Sequence, residues 1–356
     1  MRRALPPLWL SAPSRYAVLP PATARLALVA LALLLALTLL ALLTPDPTAQ
    51  NSADAGGGSD TALYAQIVEG VRAGGNYYAV AAEALRAGEY PLRPFVTFRL
   101  PTLAVVQAAL PGWVVAGLLY ALAAGVLLAW HRRFREALRR PLAIASALLL
   151  IAAGSLASWQ VELSGFHEIW AGLLIALSLA RFRPDRWAEA VGWGLTAAVI
   201  RETAALYLLL MAALALRDGD RRQALAWGAA LALVALLLAA HAVGVAQVVR
   251  PLDPASPGWA GLLGPGFVVR TAHASTALSL LPLALAAPLV GLALFGWTAW
   301  NSPVAVRVAA TITAYAALLA IAGRIDTFYW GSFYSHVSRS FRWRKILETK
   351  EPLHDI

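Results

Sequence analysis

The sequence predicts an all-α polytopic membrane protein with about nine transmembrane helices and one long outer loop. Hydrophobic residues make up 60% of its 356 residues and charged residues only 13%, whereas soluble domains carry about 25% charged residues. Apolar runs approaching the roughly 20 residues that a helix needs to cross a bilayer recur along the chain. Arginines gather in every second loop between these runs. This composition argues against an ordinary soluble enzyme.

Nine apolar helices follow from the distribution of these runs. Arg201 and Glu202 interrupt the longest apolar stretch. A single crossing would hold this ion pair at the bilayer centre, where charges are costly, so we predict two short helices with the pair at the turn between them. One kinked crossing is the alternative. The predicted spans are 26–43, 113–130, 142–159, 165–180, 189–216 as two helices, 224–249, 278–300 and 303–323.

The arginines of alternate loops orient the spans. Loops rich in Arg and Lys face the cytoplasm, so residues 1–25 are predicted to be a cytoplasmic segment. The net charge of +10 is then an orientation signal, and we expect no nucleic-acid partner. The arginines on the predicted cytoplasmic side are Arg2, Arg3, Arg15, Arg25, Arg132, Arg133, Arg135, Arg139, Arg140, Arg181, Arg183, Arg186, Arg217, Arg221 and Arg222.

Residues 44–102 form the long outer loop, and its second half has helical periodicity. Two apolar faces recur at the i, i+3, i+4 spacing of an amphipathic helix. Gly74 and Gly75 would end the first helix, Asn76 would cap the second, and Gly88 would end it. We expect both to be interfacial helices that lie on the bilayer. The faces comprise Leu63, Tyr64, Ile67, Val68 and Val71, then Tyr77, Tyr78, Ala81, Ala84 and Leu85.

Seven polar segments are spread along the predicted membrane domain, residues 26–334. They are Asp60-Thr-Ala-Leu-Tyr64, Gly75-Asn-Tyr-Tyr78, Tyr90-Pro-Leu-Arg-Pro-Phe95, Arg99-Leu-Pro-Thr102, His167-Glu-Ile-Trp170, Ile200-Arg-Glu202 and Asp326-Thr-Phe-Tyr-Trp-Gly331. Their order and topology resemble the GT-C class of integral-membrane glycosyltransferases, in its bacterial mannosyltransferase-like branch.

This resemblance implies an enzyme of the bacterial inner membrane that takes a sugar, such as mannose, from a polyprenyl-phosphate donor. The acceptor would be a lipid, a glycan or a protein, and the site would lie at the outer membrane–water boundary among membrane lipids. The sequence agrees in one respect, because it contains neither a G-x-G-x-x-G fingerprint nor a Walker A run for a nucleotide sugar.

Sugar transfer to a hydroxyl needs a base for the acceptor proton and cationic groups for the departing phosphate. The resemblance implies that Asp60, the acidic residue that opens the loop helices, is the catalytic base. The alternative is that Asp60, or Ser59 beside it, caps the following helix.

The remaining candidates are substrate-binding residues at the outer ends of the spans. Arginines supply phosphate contacts, and Glu202 would orient Arg201; alternatively, that pair only stabilises its turn. His167 and Glu168 mark a site because ionisable residues at membrane depth are commonly functional, or they are a solvated pair. The two tyrosines would stack on sugar or polyprenyl, or anchor at the interface. The set is Arg99, Arg201, Arg324, Glu202, His167, Glu168, Asp326, Tyr77 and Tyr78.

No cofactor is predicted. The chain has no cysteine and only six histidines, which argues against a zinc site, while lone carboxylates leave a divalent metal undetermined. The basic tail, residues 335–356, would lie outside after nine spans, against the charge rule, so we expect it to be atypical or truncated. Two rival functions stay open: a secondary transporter, although no internal repeat is evident, and a non-catalytic membrane protein of the cell envelope.

Overall fold

A computed structural model describes residues 14–46, 60–258 and 261–323, and the regular structure of these residues is helical. An isolated bridge pairs Arg93 with Ala255. The α-helices are α1 (Pro21–Leu39), α2 (Asp60–Arg72), α3 (Tyr77–Ala87), α4 (Pro101–Ala109), α5 (Gly112–Ala137), α6 (Pro141–Gly154), α7 (His167–Arg181), α8 (Ala188–Ile200), α9 (Ala205–Arg217), α10 (Arg221–Ala246), α11 (Gly264–Ser275), α12 (Leu283–Ala299) and α13 (Pro303–Ala322).

Four of these helices are long and apolar enough to cross a membrane, so the predicted all-α class is confirmed and the helices are compatible with a membrane protein. They are α1 with its 3-10 continuation to Leu43, α5, α10 and α13. The other predicted spans correspond to helices of 13 to 17 residues. At 1.5 Å per residue, a 13-residue helix extends about 20 Å, less than the roughly 30 Å of a hydrocarbon core. The count of nine spans therefore stays a prediction.

The chain reverses direction at Arg201, as predicted for two short helices. Arg201 contacts Glu168 at the start of α7. Asp218, which follows α9, contacts Arg307 at the start of α13, and the guanidinium carbon of Arg307 lies 4.1 Å from the centroid of the Phe182 ring that follows α7. The two ends of α9 thus lie near opposite ends of α7, so α8 and α9 form a helical hairpin.

The helices give the described residues two chemically different ends. We call one the arginine end; it comprises the C-termini of α5, α7 and α9 and the N-termini of α8, α10 and α13. Its arginines are Arg132, Arg133, Arg135, Arg139, Arg140, Arg181, Arg183, Arg186, Arg217, Arg221, Arg222 and Arg307. We call the other the loop end; it comprises α2, α3, α4, the N-terminus of α7 and the turn between α8 and α9.

Helices α2 and α3 begin and end largely where the sequence predicts. The Asn76 side chain accepts hydrogen bonds from the backbone nitrogens of Tyr78 and Ala79, and Gly88 is the C-cap of α3. Gly74 has a φ of +92°, the left-handed conformation that glycine adopts readily, and it follows the end of α2.

The apolar faces of α2 and α3 are buried within the protein. Together with α4 and the end of α10 they form a second hydrophobic core, separate from the main core that α5, α7, α8, α9 and α10 form. The second core contains Leu63, Ile67, Tyr77, Ala81, Ala82, Ala84, Leu85, Leu92, Phe98, Ala104 and Val245. The position of these helices on the bilayer stays a prediction.

An ion pair holds the loop helices to α10. The Arg86 side chain on α3 donates two hydrogen bonds to the Asp253 carboxylate, at 2.9 and 2.7 Å, and another to the Val248 carbonyl at 2.7 Å. Its bidentate geometry is the strong form of the arginine–carboxylate contact. Arg86 also holds the pKa of Asp253 well below its usual range. These Arg86 contacts join segments that lie more than 160 residues apart in the sequence.

Because the chain has no cysteine, single cysteines report its topology directly. We expect Glu162→Cys, at the loop end, and Asp185→Cys, at the arginine end, to react with a membrane-impermeant maleimide from opposite sides of sealed vesicles. Both side chains are exposed. Labelling of both positions from one side would contradict this arrangement of helix ends.

Candidate functional site

A buried ion pair lies at the centre of the loop end. The Nε atom of Arg201 is 2.9 Å from Oε1 of Glu168, and the two side chains are 1% and 2% exposed. The Nη1 atom of Arg201 also contacts Glu202. Arg99 joins the cluster, with its Nη2 atom 3.6 Å from the same Glu168 oxygen and a side chain that is 12% exposed. Two guanidinium groups therefore face one carboxylate.

The turn before α7 sets the position of Glu168. Gln107 and Trp170 each donate a side-chain hydrogen bond to the Ser164 carbonyl, at 2.7 and 2.8 Å. A Cβ atom on Gly165 would lie 3.1 Å from Cβ of Tyr64, so glycine permits this close approach of α2 to α7. Glu168 lies in the first turn of α7, where the helix dipole favours a negative charge.

Asp60, the predicted base, is the first residue of α2 and is half-buried. Its Oδ1 atom accepts a hydrogen bond of 2.8 Å from the hydroxyl of Tyr90. Burial, and then the Asp60 carboxylate, raise the pKa of Tyr90, so this hydroxyl stays protonated and donates. Among the described residues, Asp60 forms no ion pair. Ser59, the other capping candidate, lies outside the described residues.

Tyr64 connects Asp60 to the ion pair. It lies one turn after Asp60 on α2, and its hydroxyl accepts a hydrogen bond of 3.2 Å from Nε of Arg99. Burial raises the pKa of Tyr64, and the charges that act on this hydroxyl are those of Arg99, Glu168 and Asp60. The predicted base therefore lies one helical turn from the tyrosine that the predicted phosphate-binding arginine contacts.

His167 and Glu168 are 3% and 2% exposed, so the interpretation that they are a solvated pair is wrong. The ring centroid of His167 lies 5.6 Å from that of Tyr64. Burial by the loop helices, which the sequence pattern could not reveal, encloses both residues.

The two predicted stacking tyrosines have different positions. The hydroxyl of Tyr77 donates to the Arg99 carbonyl at 2.6 Å, and Tyr77 is buried in the second core, so it positions Arg99. The hydroxyl of Tyr78 lies 3.3 Å from Nδ1 of His241. A Cβ atom at Gly244 would lie 2.5 Å from the Tyr78 ring, so the ring packs on α10.

Three residues make polar contacts that the sequence patterns did not predict. Tyr64 and Tyr90 act through their hydroxyls, although both stand in the polar segments quoted above. His241 is an ionisable residue within a predicted span, which is itself a signal of a polar contact. Arg324 and Asp326, also predicted, lie outside the described residues.

No group of three or more His, Asp or Glu side chains suited to a metal ion occurs in the part of the chain that the structure describes. Compared with protein-family models, curated protein sequences and solved structures, the chain gives no match. The chemistry of the cluster around Glu168 is therefore the basis for proposing a function.

The ion pair predicts a large stability effect at Glu168. We expect Glu168→Gln to destabilise the protein by about 3–5 kcal/mol, because removing one partner leaves the buried Arg201 charge poorly compensated. The measurement is the thermal unfolding midpoint of the full chain in detergent. Glu162→Gln is the control, since Glu162 is an exposed carboxylate in the same connection. Equal midpoints for the two variants would show that Glu202 alone compensates Arg201.

Proposed function

We propose that the chain is a GT-C-like membrane glycosyltransferase. It transfers a sugar, such as mannose, from a polyprenyl-phosphate donor to a lipid, glycan or protein acceptor at the outer face of the bacterial inner membrane. One observation carries the proposal. Asp60 lies one helical turn before Tyr64 on α2, and the Tyr64 hydroxyl accepts a hydrogen bond from the Arg99 guanidinium, at one end of a set of apolar helices.

Asp60 has the features of a general base. Its carboxylate forms no ion pair with the described residues, and it is half-buried. The Tyr90 hydrogen bond holds one oxygen, so the other is the atom that accepts a proton. Glu168 is less suited to this role, because Arg99 and Arg201 both neutralise its carboxylate.

Arg99 is the better phosphate ligand of the two clustered arginines. Arg201 is almost fully enclosed, whereas part of the Arg99 side chain reaches the surface. In the proposed reaction the acceptor oxygen bonds to the anomeric carbon, and the bond from that carbon to the phosphate oxygen breaks with its electron pair. The acceptor proton passes to Asp60, and Arg99 neutralises the departing phosphate. Arg201 and Glu202 position Glu168 and thereby Arg99.

A lipid-linked donor fits the surroundings of Arg99. Helix α4 begins two residues after it, and Val105 and Val106 on this helix are exposed apolar side chains. A polyprenyl chain would pack along such a surface while its phosphate meets Arg99.

The charge distribution supports the proposed orientation. The arginine end would face the cytoplasm under the positive-inside rule, which would put the cluster on the outer side, where lipid-linked sugars replace nucleotide sugars. A transporter would hold its charges near the middle of its spans, whereas Glu168, Arg201 and Arg307 lie at helix ends. This position disfavours the transporter.

The first test is sugar transfer in membranes that contain the full chain, offered radiolabelled polyprenyl-phosphate mannose, glucose or arabinose. We expect transfer from one donor, and a loss of roughly 10²–10⁴-fold in Asp60→Asn, the range for removal of a general base. Glu83→Gln is the matched control, because Glu83 is an exposed carboxylate on the neighbouring loop helix.

Two results would contradict the proposal in different ways. Transfer that survives in Asp60→Asn would exclude Asp60 as the base and make Glu202 the next candidate for that role. Absence of transfer from every donor by a correctly folded wild-type chain would favour the transporter or the non-catalytic membrane protein.

Tyr90 provides a second test, since it acts through Asp60. We expect Tyr90→Phe to lower kcat by roughly tenfold with little change in KM for the donor, because it removes one hydrogen bond to a charged group. Tyr120→Phe is the control, since the Trp159 carbonyl, at 3.4 Å, is the one partner of its hydroxyl among the described residues. A change in KM alone would place Tyr90 in donor binding.

A further inference from the structure

A cationic pocket lies at the arginine end, away from the candidate site. Its volume is about 750 Å³, and it opens between the C-termini of α5 and α7, the connection from α7 to α8, and the N-terminus of α10. Six arginines and three carboxylates line it. The arginines are Arg132, Arg133, Arg181, Arg183, Arg186 and Arg222.

One of these arginines is built into the pocket wall. Arg133 is 9% exposed, and its Nε atom donates to the Ala180 carbonyl at the end of α7, at 2.8 Å. Its Nη2 atom is enclosed and has no hydrogen-bond partner among the described residues, while its Nη1 atom lies 3.5 Å from Oε2 of Glu136. A buried donor without a partner is costly, and an anionic oxygen in the pocket would satisfy it.

The pocket carboxylates do not neutralise all of the cations. Glu189 lies 3.5 Å from Arg181, and Asp185 lies 3.8 Å from Arg186. Arg132 and Arg222 are exposed and form no ion pair with the described residues. The pocket therefore offers an anion the guanidinium groups of Arg132 on α5 and Arg222 on α10, together with the Nη2 atom of Arg133.

Apolar side chains are exposed one helical turn away from two of the pocket arginines. Leu128, one turn before Arg132 on α5, and Leu225, one turn after Arg222 on α10, are both exposed. Trp187 lines the pocket itself, and tryptophan is enriched at the headgroup level of membranes. Acyl chains would pack on these leucines while a headgroup enters between the arginines.

We propose that this pocket binds the phosphate of an anionic phospholipid headgroup. Basic pockets between helix ends on the cytoplasmic side are suited to this chemistry, and arginine forks match phosphate oxygens. The volume exceeds that of a single phosphate and accommodates a glycerol-phosphate headgroup. The proposal does not depend on the function proposed above.

The test compares lipid binding by the full wild-type chain, by Arg132→Gln/Arg222→Gln and by Arg135→Gln/Arg140→Gln. The control variant removes the same charge from exposed arginines outside the pocket at the same end. Arg133 is left intact because it holds the end of α7. Native mass spectrometry in detergent measures binding of diphosphatidylglycerol, phosphatidylglycerol and phosphatidylcholine, with inorganic phosphate as a competitor.

We expect both anionic lipids to bind more tightly than phosphatidylcholine. The pocket variant should weaken their binding by about tenfold, the loss of one charge-assisted hydrogen bond, and the control by less than twofold. Equal weakening in the two variants would overturn the proposal, because binding would then follow net charge alone. Displacement of the lipid by millimolar inorganic phosphate would overturn the lipid assignment and identify a soluble phosphate as the ligand.

Discussion

The contact between Glu168 and Arg201 is the constraint on which the loop end depends. Both side chains are withdrawn from water, and the desolvation of two buried charges consumes much of their attraction. The pair is therefore better understood as a device that specifies one arrangement than as a source of net stability. It holds the start of α7 against the turn between α8 and α9, and it supplies the carboxylate beside which Arg99 lies.

A second ion pair fixes the opposite end of the hairpin of α8 and α9 in a similar way. Arg307 contacts Asp218 at 2.9 Å and lies over the Phe182 ring. The hairpin is thus held at its turn by α7 and at its open end by α13. Between these two contacts, α8 and α9 pack in the main hydrophobic core, where Ala197, Tyr207 and Leu208 are fully buried.

The loop helices α2 and α3 bury their apolar faces and enclose one side of the candidate site. Because α2 and α3 bury their apolar faces against α4 and α10, Tyr64 on α2 lies against Phe166 and His167 at the start of α7. Asp60 and Tyr90 form a hydrogen bond at the first turn of α2. Segments separated by more than 100 residues meet here, which is why no single sequence motif identifies the cluster.

Hydropathy and helix-terminal chemistry alone determined much of this protein. Long apolar runs predicted the membrane helices, Asn76 predicted the cap of α3, and the charges at Arg201 and Glu202 predicted the reversal, because each signal acts within a few residues of the chain. Most residues of the cluster also stand out in the sequence, since ionisable groups near apolar helices are conspicuous. The tertiary structure decided their partners. An amphipathic face has the same periodicity whether it meets lipid or protein, so only packing revealed the buried loop helices. Likewise, only long-range contacts could pair Tyr90 with Asp60 and enclose His167 and Glu168.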